Sequence, residues 1–82
     1  MKIKAIYDNG GKTLDRITIV TTKTRQTADG FLYDCIGASQ NGVGIFTWGE
    51  GKPGRHLGKR IQFTDLTKQL QSMVIEALND NN

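Results

Sequence analysis

The residues with the most chemistry to offer crowd into positions 49–60, GEGKPGRHLGKR, which hold four of the eleven Lys and Arg residues, the only His, the only Pro and four glycines. Lys52, Arg55, Lys59 and Arg60 supply donors and positive charge suited to phosphate or carboxylate, and the glycines let the backbone turn and approach a partner closely. The segment reads as an exposed cationic loop. Pro53 and Gly54 fit the central positions of a type II turn, so two cations flank a turn and two precede a strand, an arrangement that could gather them on one anion. His56 adds a hydrogen-bonding ring and Trp48 an adjacent aromatic anchor. These six residues form the candidate partner-binding or nucleic-acid-binding set.

Better-known phosphate motifs do not fit. Positions 49–54 match G-x-G-x-x-G, but that fingerprint operates between a strand and a helix, and here Pro53-Gly54 forces a turn instead. A P-loop needs Gly-Lys followed by Ser or Thr, whereas Gly51-Lys52 and Gly58-Lys59 are followed by Pro53 and Arg60. Residues 41–48, NGVGIFTW, carry a glycine-aromatic alternation like that of RNA-binding sheets, except that Val43 stands where an aromatic ring is expected. One cysteine and one histidine fall short of a zinc ligand set and exclude an internal disulfide, and Cys35, flanked by apolar positions, reads as a buried structural thiol. His56 is the only near-neutral general base, and Asp8, Asp15, Asp34 and Glu50 bear no motif spacing to it. No catalytic residue, metal ligand or cofactor is therefore assigned, and the expectation is a non-enzyme.

Turn signals divide the chain evenly. Asn9-Gly10, Asp29-Gly30 and Asn41-Gly42 are hairpin dipeptides, the first of the type I′ kind. Between them the pattern predicts short strands over 2–7, 16–23, 31–37, 44–48 and 60–63, with Ile3, Ala5 and Tyr7 sharing one face of the first. The period then changes to 3.6: Leu66, Leu70, Met73, Val74, Ala77 and Leu78 form one stripe of an amphipathic helix. Thr67 is its N-cap, Asp65 places negative charge near its positive end, and the polar residues 79–82 should fray. Ile75 points away from the stripe. The expected architecture is a single α+β domain over residues 1–82, a small twisted antiparallel sheet of about five strands with one C-terminal helix packed on it.

Eighty-two residues can build one modest core, and a net charge of +3 leans toward acidic partners without requiring them. No apolar run approaches a membrane span, and the first residues, MKIKAIYDNGG, lack the features of a signal peptide, so a cytoplasmic protein without membrane contact is expected.

Two segments, IYDNGGKTLDRIT at 6–18 and HLGKRIQFTDL at 56–66, together resemble a family of short, mostly uncharacterised proteins of phages, prophages and plasmids. Ile17 stands where that family has an aromatic residue, and Thr67 where it begins its helix with proline. The resemblance implies a mobile-element setting and carries over no catalytic or binding residue. Small proteins of such elements often bind host machinery stoichiometrically, so the leading expectation is a binding protein acting on a host protein or nucleoprotein complex, including inhibition of host defence of the anti-CRISPR kind. Direct binding of DNA or RNA through the loop is the second expectation, and a small nucleotide-binding protein or enzyme the third. The oligomeric state stays open between monomer and homodimer.

Overall fold

Hydrophobic alternation and the turn chemistry between the runs produce one antiparallel sheet. In this computed structural model, which describes residues 1–80, β1 (Ile3–Asp8), β2 (Ile17–Thr27), β3 (Gly30–Ala38), β4 (Phe46–Gly51) and β5 (Lys59–Ile61) lie in the order β4-β3-β2-β1-β5. The helix α1 (Lys68–Asp80) covers one face, giving the α+β fold that the sequence predicts. Among the described residues no helix is long and apolar enough to cross a membrane.

The helix-side core follows from the two periods. Ile6 of β1, Ile17 and Ile19 of β2 and Ile36 and Ala38 of β3 meet Leu66, Leu70 and Val74. Burying an aliphatic side chain of this size contributes about 1.5–3 kcal/mol before the entropy of ordering is subtracted. Thr67 caps the helix as expected: its hydroxyl oxygen accepts from the Leu70 N–H at 3.2 Å and its O–H donates to the Gln40 carbonyl at 3.0 Å, tying the helix start to the β3–β4 connection. Asp65 instead caps a 3-10 turn, Phe63–Asp65, by accepting from the Gln62 N–H at 2.8 Å. Ile75 is exposed, as its position outside the stripe predicts. The helix continues through Asn79 and Asp80, while Asn81 and Asn82, also expected to fray, lie outside the described residues.

Face assignments depart from simple alternation at two irregularities. In β1, Ile3 pairs Thr21 and Ala5 pairs Val20, so Lys4 is one residue too many and parity flips. Ile3 consequently packs with the helix-side core, while Ala5 and Tyr7 join Val20 and Cys35 on the other face. In β2 the partners jump from Val20↔Cys35 to Thr24↔Tyr33. Thr21 within that irregularity is fully buried, its hydroxyl donating to the Asp34 carbonyl at 2.8 Å.

The turns also differ from the dipeptide reading. A type I′ turn needs positive φ at both central residues, yet only glycines have positive φ among the described residues. Asn9-Gly10 opens a wider loop in which the Asn9 carboxamide oxygen accepts from the Gly11 and Lys12 amides, and Asn41 does likewise for Val43. At the β2–β3 hairpin the turn is Ala28-Asp29, with Gly30 pairing Thr27.

Candidate partner interface

The basic segment joins strands at opposite edges of the sheet. It leaves β4 at Gly51, beside Tyr33, and enters β5 at Lys59, beside Asp8. Four strand spacings separate those edges, about 19 Å across a flat sheet, and the eight Cα–Cα steps from Gly51 to Lys59 can reach about 28 Å when fully extended. Part of that reach is consumed by the 3-10 turn Arg55–Leu57. The segment is therefore a strap with little slack, running over the face opposite α1. Leu57 fastens it to the Ala5, Tyr7, Val20 and Cys35 cluster.

Gly58 is the second fastening. Its φ is 114°, and a Cβ there would meet the Asp8 carbonyl and lie 2.6 Å from the Asn9 Cα, so only glycine lets the strap come this close to β1. Gly54, with φ 157° and ψ 175°, is extended rather than in the conformation of a type II turn. Pro53-Gly54 accordingly delivers the chain into the Arg55–Leu57 turn instead of reversing it.

This route separates the six candidate residues. Lys52, Arg55 and His56 are exposed on the strap. Arg60 pairs Tyr7 and so shares the strap side, its guanidinium 3.4 Å from the Lys4 carbonyl. Lys59 pairs Asp8 and falls on the helix side, because successive strand residues face opposite ways. Trp48 pairs Ile36 of the helix-side core, so register puts it on the helix side, and on the edge strand it is exposed. The four cations of the sequence motif thus do not converge on one anion; three of them, with His56, occupy the strap side.

Two further residues, neither of them in the candidate set, join those cations. Lys4 reaches the strap side through the β1 bulge and holds its Nζ 5.3 Å from the centre of the Tyr33 ring. Phe31, two residues earlier on β3 and on the same face, is 52% exposed. Phe31 and Tyr33 share a face by simple strand alternation, whereas the face of Lys4 depends on the bulge.

Charge is distributed unequally. Among the described residues the ion pairs are Arg16–Asp8 at 2.7 Å and Arg25–Glu50 at 2.9 Å. Lys4, Lys52, Arg55 and Arg60 belong to neither. The Asp34 and Glu50 carboxylates lie on the helix side by register, opposite each other in the β3–β4 ladder.

Above the strap, Cys35, Gly37, Gly49 and Gly51 floor a trough of about 210 Å³ between Leu57 and Asp15. Burial pushes the Cys35 thiol up, helped by the nearby Asp34 charge, which leaves little thiolate and a weak nucleophile. His56 makes no hydrogen bond to a carboxylate among the described residues, and its ring folds back over Gly54.

Where Gly58 meets the end of β1, Asp8 is held in an ion pair. The Arg16 guanidinium donates to both its oxygens, at 2.7 and 3.0 Å, and holds the carboxyl below the usual carboxylate range; partial burial opposes this, while the Gly10 N–H and the Lys59 charge assist. A depressed folded-state pKa stabilises the fold above the unfolded value of about 3.9, and that contribution is lost as pH falls through the folded value. Asp8→Asn should therefore lower the melting temperature at pH 7, with the gap from wild type closing in acid. A gap that stays constant from pH 7 to pH 2 would show that the ion pair contributes nothing. Comparison with family models, curated proteins and solved structures finds no match to this chain.

Proposed function

We propose that this chain is a non-enzymatic binding module that engages an anionic partner surface through the strap side of its sheet. The observation that carries the reading is the set of exposed cations, Lys52, Arg55 and Arg60 with Lys4, which have no carboxylate partner among the described residues and are gathered around a strap fastened at Leu57 and Gly58. Unpaired cations on restrained backbone lose little entropy when they meet an anion, and they steer association at a distance. The weakly acidic Cys35 thiol and the isolated His56 favour binding over catalysis. The resemblance to phage and plasmid proteins supplies a context in which the partner is a host protein or nucleoprotein complex and the effect is inhibition of host defence.

The test is capture from bacterial lysate by the tagged protein and by Lys52→Ala/Arg55→Ala/Arg60→Ala. All three side chains are exposed, so the variant should melt within a few degrees of wild type. The expected result is a bound set retained by wild type and lost by the variant, with salt sensitivity to match. Identical capture by both proteins would overturn the assignment of the strap.

A further inference from the structure

We infer that the sheet surface below the strap, built on Phe31 and Tyr33, binds single-stranded nucleic acid, with bases stacking on the two rings and Lys4, Arg60 and Lys52 meeting phosphates. The inference rests on the strap side being the anion-binding surface, and it names the class of anion. Phe31 and Tyr33 lie two residues apart on β3, so their side chains share one face and their Cα atoms are about 6.8 Å apart. Phe31 stays half exposed, whereas Tyr33 is partly buried against the Ala5, Tyr7, Val20 and Cys35 cluster. Gln26 and Thr24 stand opposite on β2, and on the β4 side Tyr33 faces Gly51, which has no side chain.

A half-exposed phenylalanine beside a ring flanked by a lysine combines the two elements that single-strand binding needs, a stacking platform and a cationic track. Lys4 rests over the Tyr33 ring. Its flexible stem lets a base take that ring while the ammonium turns to the adjoining phosphate. Charge complementarity favours this occupant: Asp34 and Glu50 lie on the other face by register, Asp29 stands in the β2–β3 turn, and Asp15 is beside Gly37, four residues along β3 from Tyr33. A regular duplex hides its bases within the stack and gives the rings no base face, whereas an acidic peptide would use the cations and leave the aromatic pair without a role.

Fluorescence anisotropy tests the inference with four labelled probes: a twelve-nucleotide oligothymidylate, the matching oligouridylate, a duplex of the same length, and oligoglutamate. The expected result is salt-sensitive binding of a single strand, with the log–log salt slope about −2 to −3 for three to four neutralised phosphates. Phe31→Ala should weaken that binding about five- to hundredfold at an unchanged melting temperature, and Phe31→Trp should restore it. The two single strands separate DNA from RNA preference, and tight binding of either supports the inference. Equal affinity of Phe31→Ala and wild type, or a duplex bound more tightly than both single strands, would overturn it. Oligoglutamate bound through Lys52, Arg55 and Arg60, with no single strand bound, would also overturn it while leaving the strap reading intact. Binding of no probe, together with capture that the strap variant does not change, would remove both.

Discussion

Gly58→Ala should lower the melting temperature by roughly 10–25 °C, the largest effect expected from adding one methyl group to this chain. Two costs combine. A φ of 114° is unfavourable for any residue with a Cβ, by about 1–3 kcal/mol. The added Cβ would also overlap main-chain atoms of Asp8 and Asn9, which belong to β1 and its loop and cannot rotate aside as a side-chain tip can. Overpacking of this kind adds about 1–3 kcal/mol. For a domain of 82 residues the total stability is only about 4–12 kcal/mol, so the variant would sit near the edge of folding.

Two glycine controls separate the causes. Gly10 has a φ of 76° and open space where a Cβ would stand, so Gly10→Ala should show the conformational cost alone, about 1–2 kcal/mol. Gly49 has neither problem, and Gly49→Ala should be close to neutral. Thermal melts of the three variants give the ranking directly. A Gly58→Ala protein that melts with the Gly49 variant would mean that the strap does not approach β1 as described. Because Gly58 holds the strap down, the same substitution should weaken any binding that depends on Lys52, Arg55 and Arg60.

Leu70→Ala is the second large effect, a loss of about 3–4 kcal/mol and roughly 15–25 °C in melting temperature. Leu70 is fully buried between α1 and the sheet, in the same cluster as Ile17, Ile19 and Ile36. Truncation removes contacts on the side of the helix that covers this face. The β-branched residues beneath have stiff χ1 angles and cannot collapse into the space. Ile75→Ala provides the contrast, since Ile75 is 51% exposed on the same helix and its loss should fall within about 0.5 kcal/mol. Urea or thermal unfolding of the pair checks the difference; equal effects would show that the helix packs through another stripe.

Local chemistry along the chain specifies the individual elements. Alternation marked the strands, the 3.6-residue stripe from Leu66 to Leu78 marked the helix, and Thr67 was legible as its cap because a cap bonds to an amide only three residues away. Asn9 and Asn41 were legible as loop openers for the same reason, although the turn types were not. Tertiary structure alone decided which residues share a face. Lys4 reaches the strap side, and Ile3 the core, because β1 carries one extra residue against β2, and in a structure of period two a single-residue shift reverses every side chain beyond it. Tertiary structure also decided the meaning of the basic segment. The four cations looked like one loop because they are close in sequence. Pairing of β5 with β1 rather than with β4 stretches that loop across the sheet, and the strand geometry of Lys59 and Arg60 then sends neighbouring charges to opposite sides. Edge pairing is set by contacts between residues some fifty positions apart, Tyr7 with Arg60 among them, and no window of local sequence contains that information.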